Sequence, residues 1–296
     1  MDPRSRDPGT EVSTYVDKAM YEAEEMETIV PQVTLLSATP DPLGSLSAMS
    51  AIYEGRVVRH LGELSDAERN HYWDESFKTH LKAPWESIDL HFLVEGVTRA
   101  FTHQMVRQRT AVFAQESLRF AVKENVAARP GVQIARDPGL RDVWEQQMDS
   151  IWDAYKYLIG AGVPAEEARG LLPHDTLTRL HYKTNLRNLA DHLGNRLCTQ
   201  AQFEWRMVAA QLKEAIRTYR SRYLVAGEFR HQTAAWQWKT IADSPIFQPV
   251  CFTVGHCPFK ADFDRGCTIR ERVDAGKFDE IEEREWMADP TAAWVR

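Results

Sequence analysis

Arg107-Gln108-Arg109 is followed, after seven residues, by Ser117, Leu118 and Arg119. Three arginines and a serine within thirteen positions make a concentrated anion site, because guanidinium groups fork onto phosphate through paired hydrogen bonds. A single arginine is usually a solvated surface charge. Cations crowded together repel one another unless an anion satisfies them, so the cluster says more than its members do. Ser117 has no evident base to activate it and reads as a ligand, not a nucleophile. Arg169, Arg187 and Arg196 stand near the ends of expected elements. Arg187 and Asp191, at i and i+4, could instead be a plain helix salt pair.

The elements that must position these residues follow from periodicity. Residues 30–37 are β-rich, with Pro31 tolerable at a strand start or on an edge. Ser65-Asp66-Ala67-Glu68 is a capping box before a helix with Trp73, Phe77 and Leu81 on one face, ended by Pro84. Ser87 to Val94 alternates as a strand. Val97, Phe101 and Met105 have helical spacing, which predicts a helix over 97–108 that carries Gln104 and Arg107 together. Beyond Arg109 an extended chain would point Gln115, Ser117 and Arg119 to one side.

Trp144, Met148, Ile151, Tyr155 and Leu158 mark an amphipathic helix over 140–159. Pro164 suits the first turn of a short helix that ends near Gly170. Thr176 to Thr184 reads as a strand. A helix with Leu186, Leu189, Leu193 and Leu197 inward starts near Asn185. Thr199-Gln200-Ala201-Gln202 is a second capping pattern, before a stripe of Trp205, Val208 and Leu212. Helices and strands interleave without a repeat, which predicts an α+β fold, or an α/β fold with a mixed sheet. The expected division is a loose leader over 1–29, a main folded unit over 30–224 and a loop-rich extension over 225–296, whose acidic end (279–296) reads as a surface helix.

Composition narrows the function. The 296 residues are 43% apolar, enough for a large core. A net charge of −7 disfavours a nucleic-acid binder, which would show steep salt dependence and a basic face. Neither a signal sequence nor a membrane-length apolar run is visible, and four cysteines do not make a disulfide framework, so a reducing cytoplasm is expected.

Several motifs in one order are similar to those of the flavin-dependent thymidylate synthases, the ThyX family. The stretch from Phe101 to Phe120 resembles its R-H-R, seven residues, S signature, with an arginine two residues after the serine. Leu172-Pro173, Asn185-Leu186-Arg187, Asn195-Arg196 and Ala201-Gln202-Phe203-Glu204 match its L-P, N-x-R, L-R and A-Q-x-E elements. Pro84-Trp85-Glu86 resembles its upstream P-F-E element, and Arg169 falls where the family also has arginine.

The resemblance covers roughly residues 30–220. It implies FAD as cofactor, NADPH and methylenetetrahydrofolate as co-substrates, dUMP as substrate, and a homotetramer with sites at subunit interfaces. It implies that Gln104, Gln115, Ser117, Arg119 and Arg169 hold dUMP. Arg107, Gln108, Arg109, Asn185, Arg187 and Asp191 would line the flavin. Arg196 would bind the pyrimidine ring and stabilise charge as C5 becomes nucleophilic.

The chain departs from the pattern at Gln108 for the central His, Leu118 for Gly, Phe120 for Tyr, Cys198 for Asp and Gln200 for His. These changes keep a pyrimidine-nucleotide hydroxymethylase, acting on dUMP or dCMP, and a non-catalytic flavin- or nucleotide-binding module as alternatives. Cys198, Cys251, Cys257 and Cys267 could hold zinc or an iron–sulfur cluster, although their spacing matches no common metal motif and free cysteines are often small buried hydrophobes. His192 reads as an ordinary partly buried histidine, and Trp85 as core.

Overall fold

The structure, a computed structural model, describes residues 30–122, 127–220, 235–259 and 267–288, together with the backbone of 222–225 and 228–231. The expected leader and the end of the acidic tail lie outside these residues. Strands β1 (Gln32–Ala38), β2 (Asp89–Thr98), β3 (Val112–Gln115) and β4 (Leu177–Asn185) form one sheet in the order β1-β2-β4-β3. Every pairing is antiparallel, so the α+β class holds but the sheet is not mixed.

Alternation decides the faces. Leu90, Phe92 and Val94 of β2 and Leu180, Tyr182 and Thr184 of β4 point into the core, while Arg179, His181 and Lys183 point out. β2 continues through Val97 and Thr98, where a helix is expected from sequence. Gly96, at φ +64°, sits in a register shift between Val94 and Val97, and this bulge returns Val97 to the core as a strand residue.

Helices α1 (Pro42–Ala51) and α2 (Asp66–Lys78) pack on each other, and their Leu43, Leu46 and Trp73 join the buried cluster that holds Phe92 of β2. The Ser65 capping box forms as expected, with Glu68 N–H donating to Ser65 Oγ at 3.2 Å and Ser65 N–H returning to Glu68 at 2.7 Å. The helix ends at Lys78, before Pro84, and Leu81 is exposed beyond it. Helix α3 (Arg99–Met105) is capped by Thr98, whose hydroxyl accepts from Phe101 N–H at 3.1 Å.

Short α4 (Val132–Arg136) leads into α5 (Pro138–Gly160), on which only Tyr155 is fully buried. The rest of its apolar stripe is half-covered, and Leu140, Val143 and Tyr157 are exposed. Helix α6 (Ala165–Ala168) precedes the turn that carries Arg169.

Helix α7 (Leu186–Arg196) is capped by Asn185, whose side chain accepts from Asn188 N–H at 2.9 Å. It buries Leu186, Leu189 and Leu193. Helix α8 (Phe203–Thr218) buries Trp205, Val208 and Leu212, but its N-cap is Gln202 and carries no side-chain cap bond. The expected cap Thr199 donates its hydroxyl to Cys267 Sγ at 3.2 Å instead.

After a hairpin of β5 (Arg222–Val225) and β6 (Glu228–His231) come α9 (Ala235–Ala242), α10 (Val250–Val254) and α11 (Arg270–Asp274). This C-terminal part joins the main core: Trp238, Ile241, Phe247, Val273 and Trp286 belong to the same buried cluster as Phe92. Residues 278–285 form two 3-10 turns, not the expected surface helix, because Ile281, Trp286 and Met287 are anchored inward.

Candidate functional site

Arg196, at the last turn of α7, is the centre of a connected set of polar side chains. Its Nη1 donates to Gln104 Oε1 at 3.2 Å, and its guanidinium lies over the Trp205 ring, 5.3 Å from the centroid. Trp205 Nε1 donates to the same Gln104 oxygen at 3.2 Å. Gln104 Nε2 donates to Gln202 at 2.7 Å, and Gln202 donates to Glu204 at 3.3 Å. Arg196 is therefore fixed from α3 and α8 as well as from its own helix.

His192, one turn earlier, supports it. Arg196 Nε donates to His192 Nε2 at 3.4 Å, and His192 Nδ1 lies 2.5 Å from Gln108 Oε1. An arginine nitrogen only donates and an amide oxygen only accepts, so both contacts require the neutral tautomer protonated on Nδ1. Burial first, and the Arg196 charge second, push the His192 pKa down to about 4. Burial also lowers the Arg196 pKa, and the nearby Arg107 charge adds to that.

Gln108 is anchored to this interior. Its Oε1 also accepts from Tyr182 OH at 2.7 Å, and its Nε2 donates to the Asn188 carbonyl at 2.9 Å. Burial pushes the Tyr182 phenol well above its ordinary value and keeps it a neutral donor.

Beneath the site, Glu204 at the start of α8 accepts from Thr98 N–H at 2.8 Å and Thr98 Oγ1 at 2.6 Å, and it pairs with Arg129. Arg129 Nη1 also donates to the Gly96 carbonyl at 2.6 Å. Burial pushes the Glu204 carboxyl upward while Arg129 and Thr98 pull against it. Donors converging on both oxygens make it a carboxylate. This pair locks the bulge and the start of α3, and so the position of Gln104.

The remaining arginines form an outer group. Arg119 Nε donates to Glu166 Oε2 at 2.6 Å, and Arg169 Nε donates to the Glu166 carbonyl at 3.2 Å, so α6 brings them together. Ser117 is adjacent, its Oγ accepting from Arg119 N–H at 3.1 Å. Gln115 does not share their side: its amide turns inward to Thr102 Oγ1 at 2.9 Å, because β3 ends at Gln115 and the chain turns at Leu118. Arg107 and Arg109 are exposed in the turn after α3, without a carboxylate partner among the described residues.

Arg187 pairs with Glu86 of the Pro84-Trp85-Glu86 element at 2.5 Å and not with Asp191. Asp191 is exposed near the Lys82 charge. Trp85 is buried, stacked on Trp73 and donating to Ser76 at 2.9 Å, as its core reading expects.

Sequence reasoning missed Arg99 and the part played by His192. Arg99 is half-buried, donates to the Glu116 carbonyl at 2.9 Å, and lies within electrostatic range of Arg169. Its Nε is buried without a partner among the described residues. The signal was available: Arg99 and His103 stand at i and i+4 on α3, with Arg107 at i+8 in the turn just beyond it.

Fold and site together define an α+β enzyme class in which arginines from a helix–turn–strand unit face an arginine at the end of a second helix. The family profile described as "Thymidylate synthase complementing protein" (Thy1) matches residues 34–219. A flavin-dependent thymidylate synthase from Pyrococcus furiosus is 30% identical over 254 residues, covering 81% of this chain and 95% of the relative. One from Geobacter sulfurreducens is 30% identical over 191 residues, covering 63% and 82%. The crystal structure of a UMP/dUMP methylase, PolB, from Streptomyces cacaoi bound with 5-Br dUMP aligns with a TM-score of 0.54 at 20% identity, over 62% of this chain and 89% of that one. The chain belongs to the flavin-dependent thymidylate synthase family.

Proposed function

We propose that this protein transfers a one-carbon unit from methylenetetrahydrofolate to C5 of dUMP, forming dTMP, with FAD as the mediator and NADPH as reductant. The observation that carries this reading is Arg196: a partly buried guanidinium held by Gln104, His192 and Trp205, with no carboxylate bound to it among the described residues. A cation held in place without a counter-ion suits charge that develops on a bound pyrimidine ring when C5 acts as a nucleophile. His192 is neutral, so it orients Arg196 without adding a second positive charge.

Ser117, Arg119, Arg169 and Arg99 together suit the nucleotide phosphate. Glu166 now satisfies Arg119, and an incoming phosphate would compete for that pair. Arg107, Arg109 and Arg187 suit the flavin's pyrophosphate: the first two have no carboxylate partner among the described residues, and Arg187 holds only a solvent-exposed one. Asn185, the cap of α7, and Asp191, one turn beyond Arg187 on that helix, complete this group. FAD, when bound, supplies the redox and carbon-carrying chemistry, while the residues above bind, orient and polarise. The half-covered stripe of α5 supports assembly into a homotetramer with shared sites. Among the described residues no helix is long and apolar enough to cross a membrane.

Gln108 favours one alternative. Where the family usually has a histidine, Gln108 is an amide held by Tyr182, His192 and Asn188, and an amide brings no titratable proton toward the flavin. Such a change could let water, in place of hydride, complete the reaction and give a hydroxymethyl product. Incubating the purified protein with FAD, NADPH, methylenetetrahydrofolate and dUMP, and weighing the nucleotide, separates the readings. Gain of CH2 is the expected result, and gain of CH2O identifies a hydroxymethylase. Bound flavin without product from dUMP or dCMP leaves a binding module and overturns the proposal.

A further inference from the structure

Cys198 lies more than fifty residues before Cys251, Cys257 and Cys267, and these are the chain's four cysteines. The fold brings all four to one cavity of about 20 Å3 between the end of α7, α10 and the approach to α11, closed by Val250 and Ile269. All are free thiols. We propose that these four thiols are the ligand set of a single structural zinc ion that staples the C-terminal part to the last turn of α7, two residues beyond Arg196.

Three observations support the assignment. First, the cavity has room for about one water-sized body, which suits a single ion and is far too small for a cubane cluster. Second, two of the sulfurs already have outer partners. Cys198 accepts from the backbone N–H groups of Gln200 and Ala201, and Cys267 accepts from the Thr199 hydroxyl at 3.2 Å. Such N–H and O–H donors stabilise sulfur as thiolate and orient it. Third, cations stand close by: Arg206 is within electrostatic range of Cys198, and Arg272 of Cys267. The buried Nε of Arg206 has no partner among the described residues, and a thiolate cluster would give it one.

Burial pushes Cys251 up to about 12 and raises Cys198, so without a metal both rest as neutral thiols and neither is suited to act as a reactive thiolate. The sulfurs are not drawn in to bonding distance: among the described residues no group of three or more His, Cys, Asp or Glu forms a ligand set as it stands. Closure to Zn–S distances of about 2.3 Å would require the thiols to turn inward around the cavity. Each thiol then gives one proton to solvent, and four thiolates with Zn2+ carry a net charge of −2, facing Arg206 and Arg272.

The test uses the full-length protein, purified without chelator or added metal. Elemental analysis should find about one zinc per chain. Titration with a mercurial should release zinc in step with four thiols. Replacement by cobalt should give the intense visible bands of a tetrahedral thiolate site. Zinc removal should lower the melting midpoint by at least about 5 °C. Cys257→Ser should lose the metal, and the native protein's zinc content keeps the test valid should that variant fail to fold. Zinc below a tenth of an equivalent with four freely reacting thiols would overturn the proposal. So would a brown, sulfide-containing cluster, or a mass showing thiols paired as disulfide. None of these readouts depends on flavin binding or turnover.

Discussion

The inner and outer arginines of the site are built differently. Arg196 is partly buried and bound on two edges and one face by Gln104, His192 and Trp205. Arg107, Arg109 and Arg119 are exposed, and the one firm partner among them is Glu166, itself half in solvent. The inner group is organised before any ligand arrives and is suited to charge that appears only during reaction. The outer group awaits an anion to organise it and is suited to binding. On the proposed function the same side chain would do two jobs, and its surroundings would decide which.

The largest expected effect comes from beneath the inner group. Glu204→Ala leaves the Arg129 charge buried and frees Thr98, so it should destabilise the fold by about 3–5 kcal/mol, read by denaturant unfolding. A loss under about 1 kcal/mol would mean that the inner group does not rest on this pair. Gln108→Leu takes the acceptor away from the Tyr182 hydroxyl and the His192 Nδ1–H. It should cost about 3 kcal/mol and broaden the pH dependence of activity, because His192 loses what fixes its tautomer.

Acid offers a third way in. His192 has a folded pKa depressed to about 4 from an ordinary 6.5, so between these values the unfolded chain binds a proton that the folded chain does not. Stability is fully present above pH 6.5 and falls, by on the order of 2–3 kcal/mol, as pH drops through this window. Unfolding midpoints of native protein and His192→Gln across pH 4–7 check this, since the variant should lack that part of the slope. The smallest effect belongs to the surface: Arg187→Ala removes an exposed pair with Glu86 and should shift stability by no more than about 0.5 kcal/mol, while weakening flavin retention in equilibrium dialysis.

Local rules carried the legible part of this molecule. The Ser65 capping box and the alternation of Leu90, Phe92 and Val94 depend on near neighbours and formed as read. The boundary between β2 and α3 was misread because the spacing of Val97 to Met105 mimics a helix. A single glycine bulge overrides it by keeping Val97 in the sheet. Thr199 carried a cap pattern, yet Cys267, sixty-eight residues away, takes its hydroxyl. His192 looked ordinary because its meaning lies in Gln108, eighty-four residues earlier in the chain. Long-range polar partners leave no periodic trace, so the inner network could not be read from spacing, whereas the outer arginines announced themselves by crowding.

The most direct test places Arg196→Lys and Arg119→Ala side by side in steady-state turnover with dUMP. An inner arginine that serves the reacting ring predicts a loss of about 100- to 1,000-fold in kcat for Arg196→Lys, with KM little changed. An outer arginine that binds phosphate predicts a raised KM for Arg119→Ala, with kcat nearly intact. The reverse pattern, or equal losses in both parameters for both variants, would contradict the division of labour drawn here.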